Sequence, residues 1–297
     1  MKNLIRRVCQ AALLALACQP AYAGIVVTDV SGITIRLAVP ARRIVSLAPN
    51  VTELLFAAGA GDRVVGNVDY GNYPPAAKAL PKVGGSSSLD LEAIVALKPD
   101  LVMGWESGNS PASISRLRSM GLNVYLSEPS RIQDIAGDLE RIGELAGTEA
   151  KANAAARAFR ERYGRLAARY SQRPQVAVFY QIWKKPLMTV NGKQIISDVI
   201  GLCGGYNVFS NLPVLAPAVT VEAVIAANPE VIIASGMGDS RPEWLDDWKR
   251  WKTLTAVARN NLYFVPPDLI QRYTPRVLDG AEKLCAHLEV ARGKRYK

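Results

Sequence analysis

The chain has 297 residues, of which 49% are hydrophobic, 21% charged and 7% aromatic, and its 36 basic side chains outnumber 26 acidic ones. That length holds two globular lobes, and the even spread of apolar residues excludes a disordered chain, a collagen-like repeat and a polytopic membrane protein. The positive excess contains no run of five basic residues, so it reads as solvated surface and not as a nucleic-acid footprint.

At the N-terminus, Lys2, Arg6 and Arg7 precede an apolar run over residues 11–17, and Ala21, Tyr22 and Ala23 form a small-x-small site before Gly24. This is the pattern of a secretory signal peptide over residues 1–23. The run is too short to span a bilayer. A lipoprotein anchor at Cys18 is the weaker reading, because Ala15 stands where an aliphatic residue is expected. Removing the three leader cations lowers the formal charge from +10 to +7. Cleavage also removes Cys9 and Cys18, leaving Cys203 and Cys285. Two thiols in an oxidising compartment predict one disulfide, closing a loop of 82 residues. The chain-entropy argument gives such a loop on the order of 4 kcal/mol as an upper bound.

In the mature chain, Ile44, Val45, Ser46 and Leu47 form an apolar strand stopped by Pro49. A helix follows, with Asn50 as the expected N-cap, Glu53 three residues on, and Gly59 and Gly61 ending it. Arg63, Val64, Val65 and Gly66 then complete a β-α-β unit, which predicts a parallel sheet. The loop over residues 67–88 carries Tyr70, Tyr73, the pair Pro74 and Pro75, Gly84 and Gly85, and three serines, and a loop of that length has a task of its own. Residues 91–102 (LEAIVALKPDLV) recur as residues 221–232 (VEAVIAANPEVI), each copy reading as a short helix, a proline-containing turn and a buried strand. Two related lobes imply a cleft between them. Residues 148–170 contain no proline and place Phe159, Tyr163, Leu166 and Tyr170 at helical spacing. Such a helix is about 34 Å long, a strut between lobes. A strand over residues 176–182, an Asn191-Gly192 turn and a glycine-rich stretch at residues 201–205 follow. The domain reading is an N-terminal α/β lobe over residues 24–147, a connecting helix over 148–171 and a C-terminal α/β lobe over 172–297.

Catalysis and metal binding find little support. The chain has one histidine, His287, without a partner at metal-ligand spacing, and nucleophile-elbow and nucleotide-loop motifs are absent. An exported enzyme would have to act through His287. Tyr70, Tyr73, Trp105, Tyr180 and Trp183 lie at or just after predicted strand ends, where open α/β sheets bind ligands, and together they can wall a broad, flat, partly apolar molecule. Trp244, Trp248 and Trp251 share one helix face, a core pattern.

Taken together, these residues resemble the periplasmic cobalamin-binding proteins of ABC importers, within the helical-backbone class of metal-chelate receptors. The matching pieces run from about residue 43 to residue 285. They are Ser46, Asn50, Thr52, Glu53 and Leu54; Asp69, Tyr70, Tyr73, Pro74 and Pro75; Leu91 and Glu92 through Pro99, Asp100, Leu101 and Val102 to Trp105; Cys203, Gly204, Gly205, Asn207 and Phe209; and Thr274, Pro275 and Arg276. The resemblance implies a class III periplasmic binding fold: two Rossmann-like lobes with parallel sheets, joined by one long backbone helix that limits closure. It implies corrinoid contacts at Tyr70, Trp105, Asp268 and Arg272, the last two offering a carboxylate and a guanidinium to amides on the ring edge. Their alternative roles are a turn cap and a solvated charge. Tyr73, Ile182 and Trp183 are added by proximity.

The resemblance further implies docking on a dimeric membrane permease through Glu92 and Glu222, one glutamate per lobe, where first-turn glutamates also suit the helix dipole. It implies a periplasmic monomer with no resident cofactor, cobalt arriving only inside the ligand. Tryptophans expected near Ser86, Ala216 and Leu269 are absent, which keeps cobinamide, haem and a ferric siderophore as alternative cargo. Haem would need an axial tyrosine, Tyr70 or Tyr180.

Overall fold

The structure, a computed structural model, describes residues 24–236, 238 and 240–295. The leader over residues 1–23 and the Cys18 alternative fall outside the described residues.

An antiparallel hairpin of β1 (Ile25–Thr28) and β2 (Thr34–Leu37) opens the chain. The first sheet contains β3 (Ile44–Ser46) and, after α1 (Pro49–Ala57), β4 (Val64–Gly66). The long loop then builds a short 3-10 turn at Pro75–Ala79 and a two-residue hairpin of β5 (Gly84–Gly85) and β6 (Ser88–Leu89). Helix α2 (Leu91–Ala96), β7 (Leu101–Trp105), α3 (Pro111–Ser119) and β8 (Val124–Ser127) complete this part. Its strands lie parallel in the order β4-β3-β7-β8. Helices α4 (Asp134–Ala146) and α5 (Glu149–Tyr170) follow. The second sheet draws on β9 (Val176–Gln181), α6 (Ile195–Leu202), β10 (Gly205–Asn207), α7 (Val221–Ala227) and β11 (Val231–Ala234). Helix α8 (Thr255–Ala258), β12 (Leu262–Phe264), α9 (Pro267–Ile270) and α10 (Val277–Gly293) end the described chain. Its parallel order is β10-β9-β11-β12.

Both sheets therefore run second-first-third-fourth, and the sequence repeat is the third unit of each. Asp90 caps α2 by accepting from the Ala93 N–H at 2.9 Å, and Thr220 caps α7 by accepting from the Ala223 N–H at 3.2 Å. Both turns after these helices use a left-handed residue, Lys98 at φ 47° and Asn228 at φ 42°. Strands β7 and β9 are apolar on both faces because helices cover both sides of a parallel sheet.

The expected Asn50 cap does not form. Pro49 starts α1 two residues earlier than an Asn50 cap requires, Ala48 stands at the cap with no side-chain bond, and Asn50 is buried inside the helix. The long α5 buries Ala152, Ala156, Phe159, Leu166 and Tyr170. Its close approach to α4 needs Gly143, where a Cβ would stand 2.4 Å from the Ala152 Cβ. One continuous apolar core runs from Ile44 and Leu101 through Leu139 and Phe159 to Val178 and Ile233, so the two sheets share an interior through α4 and α5. Cys203 and Cys285 form the expected disulfide between the end of α6 and α10, with both residues fully buried. Trp248 is also buried, its indole N–H donating to Gln181 Oε1 at 2.8 Å, which agrees with the core reading of that tryptophan.

Candidate functional site

In a sheet ordered second-first-third-fourth, connections leave the first strand in opposite directions, opening a crevice at the carboxyl ends of the first and third strands. Here those ends are Ser46 and Trp105 in one lobe, and Gln181 and Ala234 in the other. Trp105 thus closes β7, while Ile182 and Trp183 follow β9 directly.

A ring contact and a cluster of charged side chains join the lobes at this edge. The Trp105 ring meets Tyr273 edge-on, with centroids 5.8 Å apart and planes at 88°. Beside it, the buried Glu53 carboxylate on α1 receives three side chains of the segment after α9. Arg272 Nη1 donates at 2.6 Å, Arg276 Nη2 and Nε at 2.7 and 2.9 Å, and Thr274 Oγ1 at 3.1 Å. Arg272 also donates to Asn72 Oδ1 at 3.1 Å and to the Tyr70 carbonyl at 3.3 Å, and pairs with Asp268 at 3.0 Å. The Arg276 guanidinium lies 3.8 Å from the centroid of the Tyr73 ring, a cation–π contact.

The floor beneath Trp105 is polar. The Ser107 N–H donates to Glu128 Oε2 at 2.9 Å. Burial pushes the Glu128 carboxyl up from the ordinary range, opposed by Ser107 and by the nearby Trp105 indole. That indole N–H is buried without a well-formed bond, although it lies near enough to favour the ionised carboxylate. Gln194 Nε2 donates to Tyr273 Oη at 2.7 Å, and burial, with the Glu128 charge adding, raises the Tyr273 hydroxyl. Glu128, Tyr273 and Gln194 carried no sequence signal beyond following strands or turns.

The structure thus gathers Tyr70, Tyr73, Trp105, Asp268 and Arg272 around one junction. Tyr70 is 77% exposed, so its ring is free to meet a ligand. Ile182 and Trp183 stand at the facing strand end, with no direct bond to the junction; the Trp183 indole N–H donates to the Lys185 carbonyl at 3.0 Å. Tyr180 is fully buried and its hydroxyl is raised by burial, so it cannot reach cargo in the cleft. His287 stacks on Tyr263 of the outer strand β12, with ring centroids 4.4 Å apart. A hollow of about 470 Å³ on the first lobe, among Asp29, Glu128, Ser130, Gln133 and Arg141, shares Glu128 with this site but holds none of the expected ligand contacts.

The periplasmic binding protein family matches residues 44–269, most of the chain and both sheets. The chain belongs to the periplasmic binding protein family. This periplasmic binding protein is 38% identical over 259 residues to the vitamin B12-binding protein of Vibrio parahaemolyticus serotype O3:K6, covering 86% of this chain and 92% of that one. It is 34% identical to the vitamin B12-binding protein of Photorhabdus laumondii, covering 83% and 87% of the two chains. The crystal structure of the periplasmic vitamin B12 binding protein BtuF of Vibrio cholerae superposes with a TM-score of 0.79 at 34% identity, over 85% of this chain and 98% of that one. A heme-binding protein RhuT from Roseiflexus shares the fold, with a TM-score of 0.71 at 22% identity over 84% and 99%. These likenesses make the periplasmic binding protein a carrier rather than an enzyme.

Glu92 and Glu222 occupy the same place in the two copies of the repeat, the second residue of α2 and of α7, and both are exposed. The capped helix starts beside them are positive dipole ends that favour a carboxylate.

Proposed function

We infer that this protein captures a corrinoid in the cleft between its lobes and presents it, chemically unchanged, to an ABC importer. The observation that carries the reading is that Arg272 joins the Tyr70 carbonyl to Asp268 while Trp105 packs on the neighbouring Tyr273, so both lobes contribute, in a chain 38% identical to a vitamin B12-binding protein. Exposed and half-buried rings suit the faces of a flat macrocycle. Asp268, 35% exposed, offers its second oxygen to amide N–H groups on the ring edge.

Export by the cleaved leader supplies the mature chain to the periplasm. There a monomer docks on the permease dimer through Glu92 and Glu222, and cobalt enters only as part of the cargo. The shared core and the Glu53 junction hold the lobes at a set spacing, so capture relies on a ready-made cleft more than on closure.

A ferric siderophore or haem is the competing cargo, and the heme-binding likeness supports the fold alone. Of the two tyrosines able to serve haem, burial leaves only Tyr70. Titration of the purified mature protein with cyanocobalamin and cobinamide tests the assignment. Saturable binding of at least one is expected; binding of haem or a siderophore with neither corrinoid would replace it.

A further inference from the structure

The donor count at Arg272 separates two roles for it. A guanidinium carries five N–H groups. Nη1 is used by Glu53 and Asn72, and Nη2 by the Tyr70 carbonyl and Asp268, which leaves only Nε–H. Arg272 therefore spends most of its capacity inside the protein, tying the exposed Tyr70 wall to the Asp268 finger. Its side chain is only 12% exposed, and that of Glu53 is 3% exposed.

Glu53 makes this arrangement possible. Two guanidiniums meet here, and Glu53 with Asp268 balances their charge. Each Glu53 oxygen accepts two bonds, so the carboxylate is fully engaged. Without its charge, Arg272 and Arg276 become a poorly compensated, largely buried like-charge pair, and an unbalanced buried charge drives the side chains toward water. Arg272 can then leave Asn72 and the Tyr70 carbonyl. Tyr70 has a backbone φ of 61°, the left-handed region that a bulky residue keeps only where its surroundings hold it.

We propose that Glu53, which lies under the cleft and not in it, is the positioning residue of the ligand site: through Arg272 it holds the Tyr70 wall and the Asp268 finger facing each other before the cargo arrives. This rests on the corrinoid reading for the identity of the cargo, and on the geometry alone for the ordering of the loop.

The test combines affinity with local hydrogen exchange. Cyanocobalamin is titrated at a temperature where melting curves show every variant folded. Glu53→Gln, which keeps the shape and removes the charge, is expected to weaken binding by about tenfold or more through lost pre-organisation. Arg272→Gln is expected to act alike, and the double variant to lose no more than the worse single, because the two work as one unit. In the ligand-free protein, Glu53→Gln is expected to speed amide exchange over residues 67–74 while the strands of both sheets keep their protection. Wild-type affinity in Glu53→Gln, losses that multiply in the double variant, or unchanged loop exchange would each overturn the proposal. Where Glu53→Gln does not fold, Asn72→Ala at an exposed position replaces it: faster loop exchange supports the positioning role, and unchanged exchange counts against it. A wild-type protein that binds neither corrinoid removes the cargo assignment, and the exchange result then judges Glu53 by itself.

Discussion

Trp105 and Tyr273 touch edge-on across the two lobes, one ring ending a strand of the first sheet and the other belonging to the loop before the last helix. The contact makes Trp105 a spacer between the two halves, and in the proposed site its ring is also a wall of the cleft. Trp105→Ala is expected to weaken cyanocobalamin binding by at least about tenfold, since central buried aromatics at interfaces contribute ~2 kcal/mol or more. Calorimetric titration checks this, and wild-type affinity in the variant would remove Trp105 from the site.

The docking proposed for Glu92 and Glu222 is separable from capture because both lie on exposed helix starts. Glu92→Ala combined with Glu222→Ala is expected to abolish most transport in a reconstituted importer while leaving corrinoid affinity unchanged. Stimulation of the importer's ATPase by the wild-type protein should also fall with added salt, as expected of charge-steered docking. Weaker ligand binding in the double variant would contradict this division of labour.

The Cys203–Cys285 bond ties α6 to α10 inside the core. Replacing both cysteines with alanine is expected to cost about 2–5 kcal/mol of folding stability. Urea unfolding with and without reductant measures it. A reductant-sensitive midpoint in the wild type, absent in the variant, is the expected signature.

His287 gives the protein a pH dependence. Burial holds its pKa below the ordinary value, with the Lys283 charge adding, against the bond to the Phe264 backbone that raises it. The unfolded chain therefore binds the proton more readily, so stability rises with pH across the window between the folded value and about 6.5. Acidification from about pH 7 to about pH 5 should lower Tm more in the wild type than in His287→Phe, which keeps a ring to stack on Tyr263. Equal slopes would exclude a contribution from His287.

How much of this was legible differs from residue to residue. The helix-turn-strand repeat at residues 91–102 and 221–232 was readable because capping, period and a turn are local properties, and both copies fold alike. The Tyr70 loop announced itself by its length. Glu53 did not: three residues after Asn50 it imitates a capping box, and that pattern concealed a carboxylate bound to an arginine 219 positions away. One signal was available. Glu53 is the single charged residue in α1, whose other buried residues are Val51, Leu54 and Leu55 together with Asn50 and Thr52, and a charge in such company needs a distant partner. Arg272 was named as a ligand finger by resemblance, whereas its neighbours show it chiefly as a tie.

By itself, the amino-acid order determined the parallel α/β lobes, the long connecting helix, the disulfide pair and the aromatic residues at strand ends. Each depends on periodicity, composition or a small count of candidates. Only the tertiary structure decided which lone charge meets which, that Tyr180 lies sealed in the core, and that Trp105 leans on Tyr273. Those outcomes depend on how two sheets and the loops at their carboxyl ends are set against each other in space. Electrostatic and ring contacts act over a few ångströms, and residues that share such a distance can lie anywhere along the chain.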